Sequence, residues 1–177
     1  MSGKMSEHTV KAFSEKLEGL SAAIAQMGGL AEAQFANAVE AIARRDTALA
    51  ENAVGGDKRI DDMQLDVEDR ALKLLALRQP MAVDLRETLA AIKIASELER
   101  IGDLAKNIAK RAIVLNREPP IRLTTSLARM GRQALAQLKH VLDAYSDRNA
   151  EAAEAVWKQD GEIDEIYNSL FRELLTY

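Results

Sequence analysis

The segment that decides how the chain folds is Leu98-Glu99-Arg100-Ile101-Gly102-Asp103-Leu104-Ala105-Lys106-Asn107. A helix has about 3.6 residues per turn, so it places Glu99, Asp103 and Asn107 within about 80° of one another on one face. Two carboxylates one turn apart repel each other, at a cost of about 0.2–0.5 kcal/mol unless a cation lies between them. This acidic line is therefore either a solvated face or a cation site.

The same helical line begins with apolar residues, because Leu85, Leu89 and Ile92 precede the acids. A face that only meets water does not usually change from apolar to acidic midway, so the change favours a cation site. The opposite side of the helix is apolar and consists of Ala91, Ile94, Ala95, Leu98, Ala105, Ile108 and Ala109. Apolar residues on several sides predict the central helix of a three-helix unit. Gly102 is expected to let a neighbouring helix approach closely.

The composition predicts an all-α protein. Hydrophobic residues make up 47% of the 177 residues and charged residues 29%, but aromatic residues only 4%. That balance is typical of a helical bundle packed with Ala, Leu and Ile. The formal charge of −4 gives no basic surface for a nucleic acid. The absence of cysteine excludes disulfides and thiolate nucleophiles.

The start of the chain carries no signal for secretion or membrane insertion. Residues 1–10 lack the apolar core of a signal peptide. The uncharged run 19–31 is too short and too rich in Gly and Ala to span a bilayer. We therefore expect a soluble, cytosolic protein that does not insert into a membrane.

Apolar periodicity predicts five helices along the chain. Their approximate ranges are 6–45, 46–77, 80–116, 123–145 and 148–177. Asp46 suits the N-cap of the second helix, Pro80 suits the first position of the third, and Pro119-Pro120 ends it. Arg78-Gln79-Pro80 forms the predicted turn between the second and third helices. At Gly28-Gly29 the first helix is expected to be able to bend.

The second half of the chain repeats the first. An offset of 101–103 residues aligns Asp46 with Asp147 and the run Asp57 to Met63 with Asp160 to Ile166. Such repetition predicts two tandem three-helix bundles. The predicted units are residues 1–117 and 118–177.

The second unit is one helix short. A full second copy would need a third helix with a counterpart of Glu99 and Asp103, and the chain has none. Two amphipathic helices without the third would leave an apolar groove. We expect that the chain is a fragment of a longer protein or that a partner supplies the missing helix.

Acid pairs at a spacing of four occur in both copies. Acids are 28 of the 177 residues, so chance alone gives about four such cases. Asp57 and Asp61 form one pair in the second helix, and Asp160 and Asp164 occupy the matching place in the other copy. Chance does not predict the same place twice, although a wet helical face stays open as the alternative for each pair.

Antiparallel packing of the second and third helices would bring two pairs together. Asp61 lies 18 residues before the turn near residue 79, and Glu99 lies 20 residues after it. At about 1.5 Å per residue, Asp57, Asp61, Glu99 and Asp103 then lie at nearly one height. All-oxygen ligation suits a hard divalent or trivalent cation such as Mg²⁺, Mn²⁺, Ca²⁺ or oxidised iron.

No catalytic motif or organic-cofactor motif is visible. A carboxylate-bridged di-iron enzyme requires Glu-x-x-His pairs, and neither His8 nor His140 provides one. Neither a Ser/His/Asp set nor the Lys-Ser/Thr of a phosphate-binding loop is present. Trp157 replaces the Gly-Gly of the first copy and is predicted to anchor a core or an interface.

Three stretches match a known family: Arg78-Gln79-Pro80-Met81-Ala82-Val83-Asp84-Leu85-Arg86, Glu99-Arg100-Ile101-Gly102-Asp103 and Asn107-Ile108-Ala109. With them, the chain resembles the PhoU family over essentially its whole length. The resemblance implies two tandem three-helix bundles, in agreement with the repeat. It also implies Glu/Asp-x-x-x-Asp motifs that bind metal at the bundle surface. On this chain those motifs fall on Asp57/Asp61, Glu99/Asp103 and Asp160/Asp164.

The resemblance further implies a role without catalysis. It implies an adapter between the ATPase of the phosphate transporter and a membrane-bound sensor histidine kinase, so that plentiful phosphate represses the phosphate-starvation (Pho) response. We therefore expect a cytosolic negative regulator of that response and of phosphate uptake. It is expected to form a homodimer or a larger assembly and to bind Mg, Mn or Fe through carboxylates. A di-iron bundle enzyme and a metal-free helical scaffold remain the alternatives.

Overall fold

Six α-helices account for most of the computed structural model, which describes residues 2–77, 82–120 and 123–175. The helices are α1 (Ser2–Arg44), α2 (Thr47–Leu77), α3 (Ala82–Leu115), α4 (Thr124–Ser146), α5 (Ala150–Lys158) and α6 (Asp160–Leu175). No strand occurs in those residues, and the expected all-α class is confirmed. None of the helices in these ranges combines the length and hydropathy that a membrane crossing needs.

The first three helices pack against one another and form the first bundle. Helix α3 contacts both α1 and α2, as its apolar sides predict. The core contains large side chains from all three helices, namely Leu20, Ile24 and Met27 of α1, Ile60 and Val67 of α2, and Leu98 of α3. Burying such side chains contributes about 1.5–3 kcal/mol each. The bundle therefore has a core of its own.

The end of the bundle that carries the acidic line has a core of small side chains. Seven alanines from the three helices are at most 1% exposed: Ala38, Ala41, Ala50, Ala53, Ala105, Ala109 and Ala112. Small side chains let the helix axes approach closely. Gly102 also lies at a close approach, because a Cβ there would be 3.0 Å from Ile60 Cδ1 and 3.1 Å from Gln34 Oε1. The expected role of Gly102 is confirmed.

Helix α4 joins the second half of the chain to the first by packing on α1. A Cβ on Gly28 of α1 would lie 2.5 Å from Leu142 Cδ2, and a Cβ on Gly131 of α4 would lie 2.6 Å from Val39 Cγ2. Each helix thus offers a glycine to a branched side chain of the other. Helix α1 is continuous through Gly28-Gly29, and Gly28 serves the contact with α4.

The ends of the helices show the internal repeat directly. Asp46 Oδ1 accepts hydrogen bonds from the backbone N–H groups of Ala48 and Leu49, so the expected N-cap of α2 is confirmed. Asn149 caps α5 in the same way, through the N–H of Ala152. The residues before the two caps, Arg45 and Arg148, both have positive φ, 55° and 52°. The structural offset is therefore 103 residues.

Two sequence predictions need correction here. The N-cap that corresponds to Asp46 is Asn149 and not Asp147, which instead follows α4. The predicted fifth helix is two helices, α5 and α6, with a break at Gln159. The Gln159 carbonyl accepts a hydrogen bond from Gln137 Nε2 of α4 at 3.0 Å. The following Asp160-Gly161 has low helix propensity, which favours the break at this point.

Other predictions about the helix boundaries fare differently. Helix α3 ends at Leu115, one residue before the predicted end and ahead of Pro119-Pro120. The predicted turn Arg78-Gln79-Pro80 and the placement of Pro80 in the first helical turn lie outside the described residues. Trp157 is 76% exposed, so its predicted core role is wrong for this chain, whereas a role at an interface stays a prediction.

Candidate functional site

The acids of α2 and α3 lie together on the surface of the first bundle. The pKa of Asp61 is raised by burial and then by the neighbouring charge of Asp57. The pKa of Glu99 is raised by burial and then by the charges of Asp103 and Asp61. Carboxylates on different helices shift one another's pKa only when they are close. The structure therefore brings the two pairs to one level, as the helix lengths predict.

Asp57 is the buried member of this carboxylate cluster and is only 5% exposed. Its Oδ1 accepts a hydrogen bond from Gln34 Nε2 of α1 at 3.5 Å. The same Gln34 nitrogen donates to the backbone carbonyl of Ala53 at 2.8 Å. Gln34 is itself 4% exposed, and its Oε1 has no hydrogen-bond partner. A side chain of α1 thus reaches the cluster from inside the bundle.

Lys106 of α3 lies between two of the carboxylates. Its Nζ donates to Asp57 Oδ2 of α2 and, at 3.1 Å, to Asp103 Oδ1. The hydrogen bonds to Asp57 and Asp103 raise the pKa of the ammonium above its ordinary value. Lys106 is therefore charged at neutral pH and neutralises part of the cluster.

The sequence reasoning missed both Lys106 and Gln34. Lys106 lies three residues after Asp103, which is a spacing that puts the two side chains on neighbouring positions of a helix. That signal was available in the segment quoted first, although it does not tell which helix the ammonium reaches. Gln34 carries no sequence signal except a polar residue among the buried positions of α1.

The cluster, as it stands, does not fit a metal ion. All its donors are oxygens, which is the chemistry of a hard cation. Within the described ranges, however, no three acidic or histidine side chains are arranged so that they could hold one ion. Lys106 takes the place between Asp57 and Asp103. The predicted ligands are present at one level, but two of them are engaged by an ammonium group.

Asp160 and Asp164 lie apart from this cluster, on α6. Both are exposed, and Asp160 is in the first turn of the helix. An acid in a first turn is favoured by the helix dipole without any ligand. Around this pair, too, the described residues provide no group of three ligands. His140 is exposed, and the side chain of His8 lies outside the described residues.

An open apolar groove of about 830 Å³ lies between α3 and α4 above α1. Leu17, Ile94 and Leu142 are among its lining residues. Arg148 and Glu87 form an ion pair at 3.6 Å beside it. Large apolar side chains are also exposed on α5 and α6, namely Trp157, Tyr167, Phe171 and Leu174. The second half of the chain thus has the uncovered apolar surface that the incomplete repeat predicts.

Comparison with known proteins agrees with this architecture. The family described as the PhoU domain matches residues 24–112 and 127–177. The phosphate-specific transport system accessory protein PhoU homolog of Caulobacter vibrioides is 53% identical over 174 residues, which are 98% of this chain and 76% of that protein.

Two crystal structures have the same fold. PhoU from Pseudomonas aeruginosa superposes with a TM-score of 0.91 at 35% identity, over 93% of this chain and 79% of that one. The phosphate transport system regulatory protein PhoU from Streptococcus pneumoniae superposes with a TM-score of 0.85 at 29% identity, over 93% of this chain and 77% of that one.

Tandem helical bundles with an acidic surface on the first bundle define a helical scaffold protein of the accessory and regulatory class. The chain belongs to the PhoU family. Its relatives are named as accessory or regulatory proteins of phosphate transport and not as enzymes.

Proposed function

We propose that the protein is a cytoplasmic negative regulator of the phosphate-starvation response and of phosphate uptake. In this role it is an adapter between the ATPase of the phosphate transporter and a sensor histidine kinase, and it acts as a homodimer. The observation that carries the proposal is the 53% identity to an accessory protein of phosphate transport over 98% of the chain. Exposed leucines such as Leu65 and Leu72, 63% and 61% exposed, suit a protein that works by contacts.

Direct binding to the transporter ATPase tests the adapter role. The purified chain is immobilised, and the purified ATPase subunit of the phosphate transporter is passed over it, with the ATPase of an unrelated importer as the control. Saturable binding at micromolar concentrations, absent from the control, is expected. Equal signals from the two ATPases, or none from either, would contradict the adapter role. The same experiment with the cytoplasmic part of the sensor kinase tests the second partner.

The carboxylate cluster is proposed to bind a hard cation. Asp61 and Glu99 form no ion pair with a basic side chain in the described parts of the chain. Their raised pKa values reflect burial and mutual repulsion that a cation would relieve. Since three ligands do not surround one point in the structure, binding requires side chains to move. Asp160 and Asp164 stay a predicted ligand pair.

Metal content by mass spectrometry tests this proposal. The chain is purified without chelator or affinity-column metal and equilibrated with millimolar Mg²⁺ or Mn²⁺. Bound metal is expected in the parent and is expected to fall in Glu99→Ala/Asp103→Ala. The control Glu151→Ala/Glu154→Ala removes two exposed acids of α5 and is expected to keep the metal. Metal that is absent from the parent, or equal in all three proteins, would contradict the proposal.

The metal-free scaffold is a second candidate, because Lys106 already neutralises part of the cluster from within. It predicts that Glu99→Ala/Asp103→Ala leaves binding to the ATPase intact. The metal-binding adapter predicts that this double substitution weakens ATPase binding when Mn²⁺ is present and has little effect in its absence.

A further inference from the structure

The starting observation is the bridge that Lys106 forms between two helices. Its ammonium contacts a carboxylate oxygen of Asp57 on α2 and one of Asp103 on α3. A metal ion shared by these helices would have to bridge the same kind of oxygens. The position between the helices is therefore held by a positive charge that belongs to the chain itself.

Burial shows why this charge is needed. Asp57 is 5% exposed, and a buried carboxylate without a cation is strongly destabilising. Gln34 supplies one neutral donor at 3.5 Å, but a neutral donor does not balance a charge. Lys106, whose side chain is 27% exposed, is the basic side chain that contacts Asp57 in the described residues.

The rest of the cluster is not balanced. Asp61 and Glu99 lie close enough to Asp57 and Asp103 to feel their charges. One ammonium therefore serves four carboxylates. A polar atom inside the bundle is also unused, because Gln34 Oε1 has no hydrogen-bond partner and would lie 3.1 Å from a Cβ on Gly102, the residue before Asp103. The cluster thus combines excess negative charge with an unpaired buried acceptor beside it.

We propose that Lys106 is the resident cation of the carboxylate cluster, so that the first bundle is complete without metal and a divalent cation binds only by displacing Lys106 from Asp103. The ammonium stays on the buried Asp57, and the freed Asp103 joins Asp61 and Glu99. This step rests on the proposed cation site, whereas the stabilising role of Lys106 in the metal-free protein does not.

The test compares Lys106→Met, which keeps the length of the side chain and removes the charge, with Lys110→Met, which removes an exposed charge one turn further along α3. The affinity for Mn²⁺ is measured from the electron paramagnetic resonance signal of the free ion. Loss of a like charge within a few Å is expected to tighten Mn²⁺ binding about tenfold or more in Lys106→Met. Lys110→Met is expected to stay within about twofold of the parent.

Thermal unfolding gives the second readout. Without metal, Lys106→Met is expected to melt below the parent, and Mn²⁺ is expected to raise its melting temperature more than that of the parent. Lys106→Arg keeps the charge and is expected to behave like the parent in both assays. Unchanged or weaker Mn²⁺ binding in a folded Lys106→Met would overturn the inference.

A measurement on the parent protein covers the case in which Lys106→Met fails to fold. The ¹⁵N signal of the Lys106 side-chain ammonium is followed during a titration with Mg²⁺. Displacement from Asp103 is expected to shift that signal, while the signal of Lys110 stays in place. An unshifted Lys106 signal at Mg²⁺ saturation would overturn the inference.

The outcomes separate this inference from the proposed cation site. Metal bound by Lys106→Met but not by the parent supports the resident cation and contradicts metal binding by the parent protein. Equal Mn²⁺ affinity in the parent and Lys106→Met supports the metal site and overturns the displacement of Lys106.

Discussion

The residue that links the interior of the first bundle to its acidic surface is Gln34. It is buried in α1, yet its amide nitrogen reaches the Ala53 carbonyl and Asp57, both on α2. Since Asp57 in turn contacts Lys106 of α3, one chain of polar contacts crosses all three helices. A buried polar network of this kind is sensitive to the loss of any member.

Replacing Gln34 with Leu is expected to destabilise the fold. The substitution leaves the Ala53 carbonyl and the buried Asp57 without their amide donor, at a cost of about 1–3 kcal/mol. Urea unfolding measures the change. Gln26→Leu, at an exposed position of the same helix, is the control and is expected to change the free energy of unfolding by less than about 0.5 kcal/mol. Equal effects at the two positions would show that the Gln34 contacts contribute nothing.

The stability of the metal-free protein is expected to depend on pH through Asp61 and Glu99. Folding raises both pKa values above the ordinary 3.8 and 4.5. The folded state therefore binds more protons than the unfolded state in this range, and the free energy of unfolding falls as the pH rises from about 4 through the folded pKa values. Below that range the contribution of the two groups is fully favourable.

Chemical denaturation between pH 4 and pH 8, with a chelator present, measures this dependence. Asp61→Asn/Glu99→Gln removes both titrations, so its stability is expected to fall less over the same range than that of the parent. Asp69→Asn/Glu151→Gln, at two exposed positions, is expected to keep the parent's dependence. The opposite slope in the parent, with stability rising from pH 4, would contradict the raised pKa values.

At the residue scale, the sequence predicts the members of the cluster but not its balance. The spacing of Glu99 and Asp103 and the turn near residue 79 are enough to bring four acids to one level. The spacing does not show that Lys106 crosses to Asp57, because a lysine on a helix surface usually extends into water. Only the packing of α2 against α3 decides which carboxylate the ammonium reaches.

At the scale of the helices, the contact between α1 and α4 depends on two glycines that face branched side chains. Gly131 meets Val39, whose β-branched side chain is stiff, whereas Gly29 has nothing within 4 Å of an added Cβ. The two positions therefore separate packing from helix propensity.

Gly131→Ala is expected to be less stable than Gly29→Ala by about 1–3 kcal/mol. Both substitutions gain about 1 kcal/mol in helix propensity, but only the first forces a methyl group against Val39. Thermal or urea unfolding of the two variants beside the parent measures the difference. Equal stabilisation by both would mean that α4 can move away from α1 without loss.

Helix periodicity predicts the long helices well and the second copy less well. The apolar repeat carries α1, α2 and α3 to within a few residues of their observed ends. It runs through Gln159 without interruption, so it does not reveal the break between α5 and α6. That break is associated with a contact from Gln137 on another helix, which a one-dimensional pattern does not contain.

At the scale of the whole molecule, apolar surface is uneven between the two halves. The first bundle has a closed core of three helices, whereas α5 and α6 expose Trp157, Tyr167 and Phe171. The incomplete repeat predicts this imbalance from the sequence alone. It does not identify what covers the surface.

Trp157 is the single tryptophan of the chain and reports on that surface directly. Because it is 76% exposed, its fluorescence in dilute protein is expected to be red-shifted and readily quenched by acrylamide. If the proposed homodimer covers this face, the emission shifts to the blue and quenching falls as the protein concentration rises. Blue-shifted, protected emission in dilute monomer would contradict the exposure of Trp157. Tyrosine and phenylalanine emission is excluded by excitation at the red edge of the tryptophan band.

The most direct test of the regulatory role is a phosphate-starvation reporter in a bacterium that lacks its own PhoU-family protein. The chain is expressed there in phosphate-rich medium, and its folded level is checked in parallel. The account predicts that the reporter, active without the chain, is repressed when the chain is present and active again when phosphate is withdrawn. A reporter that stays active in rich medium despite abundant folded protein would contradict the account.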